Sequence, residues 1–434
     1  MPPSGQRHLQ PAMKISRETL AWAFYDWANS AFATSIMAGF FPIFFKQYWC
    51  SGVEVSTSTF RLGLANSLGS LVVIFLAPLL GAMADQAGAK KKFLFFFATL
   101  GIVMSAGLYT VAQGAWLMAS LFYICGIIGF SGGNVFYDSL LVNVASPAAS
   151  DRVSALGFAL GYLGGGLLFA VNVAMTLKPG LFGLADAPQA VRLSFLTVGA
   201  WWAVFSLPIL LWVKEPAPPA TPARQGMIGA GFRQLFTTFK EIRKLRVVLV
   251  FLAGYWLYID ALDTIIRMAV DYGLALGFAS SGLIIALLIT QFVGFPAALV
   301  FGRLGEKMGT KKAILLGIAI YLLVTVWAMS METIREFYLL AVAIGLVQGG
   351  VQSLSRSLYS RLIPANKSAE FFGFYNMLGK FAAVIGPLLM GLVGMLTGSP
   401  RLSLLAIIGL FIAGALLLCL VNEEEGARLA RQMK

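Results

Sequence analysis

The residues best suited to chemistry lie where ionisable groups are most expensive, inside long apolar stretches. Tyr25-Asp26-Trp27-Ala28-Asn29-Ser30 interrupts an apolar run from Leu20 to Phe45. A carboxylate placed in lipid is costly, so it must face protein or water. An acid, an amide, a hydroxyl and two aromatic rings within six residues have the composition of a solute path. Asp138 stands a little over two turns before Pro147 in another apolar stretch. Clustered, desolvated carboxylates take up protons more readily than free ones, which suits reversible protonation.

A later stretch carries Tyr255, Trp256, Tyr258, Asp260, Asp263, Arg267 and Asp271. Its charged positions step by three or four residues and form one helical stripe. Asp263–Arg267 and Arg267–Asp271 read as self-neutralising pairs, whereas Asp260 is deepest, roughly 20 Å from the inner end at helical rise. Arg356 stands near Gln348, Gln352 and Ser353, and Lys380 is the one lysine of its stretch, roughly 15 Å from the inner end. Each needs an anionic partner: Asp138 for Arg356 and Asp260 for Lys380. Acids opposite bases would suit an amino acid, its carboxylate on Arg356 or Lys380 and its ammonium on Asp26 or Asp138. Asn29, Asn134, Asn143, Asn376 and Tyr375 add neutral donors and acceptors that suit bonds between helices. Trp27, Trp256 and Tyr258 would line an apolar pocket or the core.

The elements that position these groups follow from composition. Of 434 residues, 59% are hydrophobic and only 12% charged, far below the roughly 25% charged of soluble domains. Apolar runs long enough for helical spans recur about twelve times, at 20–48, 60–84, 93–112, 115–146, 152–177, 191–213, 247–274, 280–303, 313–331, 335–363, 370–397 and 400–422. Barrel strands would be half as long and alternating. The fold class is therefore all-α integral membrane. The net charge of +13 gathers in alternate loops, as the positive-inside bias requires, and puts both termini and the long middle loop in the cytoplasm. It is a topology signal and gives no reason to invoke nucleic acid. The N-terminus reads as a short polar tail without a cleavage site, so the first span is expected to be retained.

Two stretches repeat. Gly81-Ala-Met-Ala-Asp85-Gln-Ala-Gly88-Ala-Lys90-Lys91 and Gly302-Arg-Leu-Gly-Glu306-Lys-Met-Gly309-Thr-Lys311-Lys312 share glycines, acid and lysines at one spacing. Gly132-Gly133 precedes Pro147 by the interval at which Gly349-Gly350 precedes Pro364. These matches in register predict two pseudo-symmetric six-helix halves. The chain then divides into a tail (1–19), an N-terminal half (20–213), a linker (214–246), a C-terminal half (247–422) and a second tail (423–434). Within the linker, Phe232, Leu235, Phe236, Phe239 and Ile242 share a helical face opposite Arg233, Lys240, Arg243 and Lys244, as in a helix lying on the inner leaflet. Gly161, Gly164, Gly165 and Gly166 predict a thin packing face, and Gly386-Pro387 a bend.

The twin loops, the twelve spans and the central loop resemble the major facilitator superfamily over essentially the whole chain. Tyr25-Asp-Trp-Ala-Asn-Ser-Ala-Phe32 and Phe136-Tyr-Asp-Ser-Leu-Leu141 are similar to its vacuole-effluxer-like branch, also labelled "unknown major facilitator", whose fungal members are associated with amino-acid export from the vacuole. The resemblance implies the twelve-helix major facilitator fold, a solute carrier, and a cavity bordered by spans one, four, seven and ten, so that Asp26 and Asp138 share its cytoplasmic third. It further implies that the loops latch the cytoplasmic side, with Gly81, Asp85, Lys90, Gly302, Glu306 and Lys311 as latch residues and Arg152 as a partner for Asp85.

The expectation is a secondary active transporter of a small polar or zwitterionic solute, an amino acid preferred, working by alternating access with protons. Substrate or proton contacts fall to Tyr25, Asp26, Asn29, Asp138, Trp256, Tyr258, Asp260, Arg356 and Lys380. An exporter of cationic organic compounds is the alternative, favoured by the surplus of acids, and a transport-inactive receptor or scaffold is a second. No nucleophile–base pair, nucleotide loop or metal spacing suggests an enzyme or cofactor; Cys50, Cys125 and Cys419 are scattered and His8 is the only histidine. A monomer in a bacterial inner membrane, in contact with lipid, solute and protons, is expected.

Overall fold

In the computed structural model, residues 16–215, 245–399 and 401–432 are described. The linker face-forming residues from Phe232 to Lys244 lie outside them, as do the side chains of Arg267 and Asp271.

Local chemistry sets the helix ends. α1 begins at Arg17 because the Ser16 hydroxyl accepts the Thr19 N–H, and the helical segment runs to Trp49. Its course includes wider π-helical turns at Phe32–Phe40 and Phe45–Trp49. α2 (Val55–Ala87) stops at Gly88, whose φ of 55° is left-handed. α3 (Lys90–Gly107), α4 (Trp116–Val144), α5 (Ser150–Leu177) and α6 (Ala187–Trp212) complete the first half. The second half holds α7 (Arg246–Ala275), α8 (Ser280–Met308), α9 (Thr310–Ala328), α10 (Ile334–Leu362), α11 (Ser368–Thr397) and α12 (Leu404–Cys419). Thr333 and Glu336 close a reciprocal cap at the start of α10.

Among the described residues, eleven helices are long and apolar enough to span a bilayer by themselves. α12 has 16 residues and meets that test only together with α13 (Glu423–Gln432), after a 64° bend. The expected tail from 423 therefore contains a helix. Its Gly426 packs on Leu362 and Val247, at the ends of α10 and α7.

The two halves meet along α2 on α11 and α5 on α8. At both crossings a glycine admits the neighbouring chain. A methyl group at Gly373 would stand 2.6 Å from the Pro78 backbone, one at Gly302 2.6 Å from the Ala155 methyl, and one at Gly81 would overlap the Ala369 carbonyl. The start of α1, the end of α6 and the α2–α3 loop share one end of the bundle. Lys214 reaches Glu18 at 3.9 Å, Arg17 lies over Trp212, and Lys91 donates to the Val213 carbonyl at 2.7 Å. This end is the linker face.

Candidate functional site

Near the linker face, Arg356 of α10 reaches out of the second half and into the first. Its Nη1 is 3.1 Å from Asp138 Oδ1 on α4, and its Nη2 is 3.3 Å from Asp26 Oδ2 on α1. The expected Arg356–Asp138 pair is present, and Asp26 joins it. Two groups of α5 orient the guanidinium: Nε donates to Ser154 Oγ and Nη2 to the Ser154 carbonyl, both at 2.9 Å. The planar cation is enclosed by Phe158, Trp22 and Tyr137, with centroids 4.4, 4.9 and 5.2 Å from Cζ. Trp22 stacks on Tyr137, whose hydroxyl donates to Asp26 Oδ2 at 2.7 Å. Asn376 of α11 donates to the other Asp138 oxygen at 3.1 Å. Arg356 and Asp138 are buried and Asp26 partly so, with side-chain exposures of 3% for Arg356, 10% for Asp138 and 14% for Asp26. One guanidinium between two carboxylates leaves one negative charge uncompensated within this triad.

A second crossing of the halves lies one turn nearer the linker face. Asp151, at the start of α5, is buried and accepts from Ser357 of α10 at 2.5 Å and Thr310 of α9 at 2.6 Å. Arg361 approaches the same carboxylate at 3.3 Å and Glu423 of α13 at 3.8 Å. Ser154 donates to the Ser353 carbonyl at 2.7 Å, and the hydroxyls of Ser150 and Ser357 are 2.8 Å apart.

The repeated loops hold different partners in the two halves. Asp85 pairs with Lys90 at 3.2 Å and accepts the Glu370 backbone N–H, in the first turn of α11, at 2.8 Å. Lys90 also donates to Ser368 at 2.6 Å. The expected partnership of Arg152 with Asp85 is not formed: Arg152 pairs with Glu306, across the halves, at 2.5 Å. α5 crosses α8, which ends in the second copy of the loop, while the first copy abuts α11. The last matched pair also shifts by one. Lys91 donates to the Val213 carbonyl and its N–H to Glu215; Lys311 donates to the Val421 carbonyl and its N–H to Glu423. The fold thus equates Lys311 with Lys91, although the spacing aligns it with Lys90.

The remaining candidates are spread more widely. Asn29 donates to Asn134 at 2.6 Å, joining α1 to α4. Tyr25 is buried against α4, where a methyl at Gly133 would stand 2.6 Å from its hydroxyl. Lys380 lies over the Phe130 ring of α4 at 5.9 Å, on the α11 face that also presents Asn376. Asp260 is buried and accepts the Gly386 backbone N–H at 2.8 Å. Tyr258 is bonded to Ser355 at 2.7 Å, a contact within the second half, and Trp256 is half-buried. Among the described residues, no cluster of His, Cys, Asp or Glu has the arrangement of a metal site.

Sequence reasoning gave no site role to Tyr137, Ser154 or Asp151. Tyr137 and Ser154 are ordinary residues of buried spans. Asp151 reads from sequence as an acid complementing a helix N-terminus. The only signal was its position beside Arg152 at a span edge.

The sequence model of the family "Vacuole effluxer Atg22 like" matches residues 15–147 and 142–431. The chain is 38% identical over 428 residues to the uncharacterized MFS-type transporter YxiO of Bacillus subtilis (strain 168), covering 96% of this chain and 98% of that one. It is 27% identical to Autophagy-related protein 22 of Yarrowia lipolytica over 66% of this chain and 52% of that protein. In structure it is similar to the human organic anion transporter MFSD10 (TM-score 0.71, 16% identity, 94% of this chain and 100% of that one). It is also similar to the outward conformation of the major facilitator FucP (TM-score 0.68, 12% identity, 94% and 98%). With the matched residues spanning nearly its whole length, the chain belongs to the vacuole effluxer Atg22-like family of major facilitator transporters.

Proposed function

We propose that this transporter moves a small polar or zwitterionic solute, an amino acid preferred, by proton-coupled alternating access. The observation that carries the reading is the buried Asp26–Arg356–Asp138 triad, which joins α1 and α4 of one half to α10 of the other. The two halves cannot part at the linker face without separating Arg356 from both acids. A proton on either acid removes one anchor of the guanidinium. A solute carboxylate competes for Arg356, and a solute ammonium offers the acids a replacement cation. Each exchange lowers the cost of separation, which is what coupling requires.

Lys380 and Asn376, on the α11 face toward α4, extend the polar path away from the linker face. The loops ending at Lys90 and Lys311, with Arg152, Asp85 and Glu306, act as latches holding that face shut. The concentration of Lys and Arg at the linker face supports a cytoplasmic location for it and for both termini, in a bacterial inner membrane. The triad's uncompensated negative charge favours one second reading, export of a cationic organic compound.

Reconstitution into proteoliposomes with an imposed pH gradient tests the proposal, using a panel of labelled amino acids and organic cations. Gradient-driven uptake is expected, losing its pH dependence in Asp26→Asn and Asp138→Asn. If both variants keep the native dependence, these acids are not the proton sites. Uptake of cations in place of amino acids would select the second reading.

A further inference from the structure

We propose that Asp260 acts as a positioning residue that ties the middle of α11 to α7 through the Gly386 amide, and through that tie sets where the far part of α11, from Pro387 to Thr397, stands relative to α4. This inference is independent of the cargo and of which acid carries a proton. Asp260 is 1% exposed, and its Oδ1 accepts the Gly386 N–H at 2.8 Å. Gly386 lies in the middle of α11, so this is a side-chain bond from one helix to the backbone of another. Pro387, the next residue, has no N–H to give the carbonyl four residues back, and its ring crowds that carbonyl, so the ladder of α11 is weakest there. The segment from Pro387 to Thr397 is therefore held less by the α11 ladder and more by its neighbours, of which Asp260 is one.

The site is built for this bond and admits little else. A methyl group at Gly386 would overlap Thr264 Oγ1 and stand 2.5 Å from Asp260 Oδ1. Thr264 is held in turn by its own bond to the Asp260 carbonyl at 2.7 Å. Lys380 precedes Gly386 by six residues, roughly 9 Å along the helix, and Asn376 lies one turn further. Asn376 holds Asp138, and Lys380 lies over Phe130. Loss of the tie therefore frees the part of α11 beyond Gly386, while the part before it is pinned by Asp85 and Lys90.

Spin-label distances test the inference in full-length protein whose Cys50, Cys125 and Cys419 are replaced by serine. One label pair, at Leu117 and Leu396, reports the far ends of α4 and α11; another, at Ala148 and Asn366, reports the linker face. Asp260→Asn keeps an acceptor oxygen without the charge and is expected to give the native distribution at both pairs. Asp260→Ala is expected to shift and broaden the far pair and leave the linker-face pair unmoved. Gly386→Ala attacks the same bond from the other side and must move the far pair likewise, which decides the matter if Asp260→Ala does not fold. A native far-pair distribution in Asp260→Ala or Gly386→Ala overturns the proposal. So does a shift in Asp260→Asn equal to that of Asp260→Ala, since the charge would then be what matters.

Discussion

Gly157 of α5 faces Asp26 so closely that a methyl group there would stand 2.7 Å from Asp26 Oδ2, 2.7 Å from the Tyr137 hydroxyl and 3.0 Å from Arg356 Nη2. The triad rests on bare backbone. Gly157→Ala should therefore displace it and destabilise the protein by about 1–3 kcal/mol, as overpacking does. Gly391→Ala, with no atom within 4 Å of the added methyl, should instead gain up to about 1 kcal/mol from helix propensity. Thermal unfolding in detergent, followed by tryptophan fluorescence, distinguishes them. Equal melting temperatures would mean that the triad yields freely.

Removing Arg356 strands one buried acid, Asp138, and one partly buried acid, Asp26. Arg356→Ala should cost about 3–5 kcal/mol, the usual penalty for breaking a buried ion pair from one side. Arg356→Ala combined with Asp138→Asn should be less destabilised than Arg356→Ala alone, because one stranded charge is gone. The same melting assay measures this coupling. Strict additivity would show that the pair contributes no interaction energy.

Ser150 and Ser357 offer a covalent check on the closed linker face. Their hydroxyls are 2.8 Å apart and belong to opposite halves. In Ser150→Cys/Ser357→Cys the thiols should cross-link under mild oxidation, seen as loss of alkylation at both cysteines by mass spectrometry. Transport should stop on oxidation and return with reductant. Persistent alkylation after oxidation would show that the two helices do not meet in solution.

The two latches should respond differently to substitution. Arg152 and Glu306 are 43% and 24% exposed, so Glu306→Gln should cost no more than about 1 kcal/mol and matter less in high salt. Asp85 and Lys90 are 6% and 7% exposed, and Asp85 also holds a helix-end amide. Asp85→Ala should therefore be the more damaging, with Asp85→Asn intermediate because it keeps an acceptor for Glu370. Thiol accessibility of a cysteine at Ser368 reports opening of this latch in each variant.

Much of the architecture is legible because lipid imposes one rule, some twenty apolar residues per crossing. α12 escapes the rule by its shortness and α1 by starting at Arg17, where Ser16 caps it. The Asp138–Arg356 pair is legible for a related reason, since a charge in a span demands a counter-charge. Arg152 is not legible in this way. At the membrane edge several acids can satisfy it, and only the crossing of α5 over α8 selects Glu306. Asp260 is harder still. Its carboxylate holds the Gly386 N–H, and backbone donors have no letter in a sequence.

The odd negative charge of the triad has an electrical consequence. Carrying one elementary charge across a membrane changes its energy by about 2.3 kcal/mol per 100 mV. If the triad shifts through the field with its charge uncompensated, reorientation of the empty carrier depends on voltage. With a proton on either acid the three side chains are neutral as a set, and with a monovalent cation bound they are neutral together with it, so the net charge carried through the field vanishes. Current recorded during the empty and loaded half-cycles therefore reads out the occupancy of Asp26 and Asp138 directly.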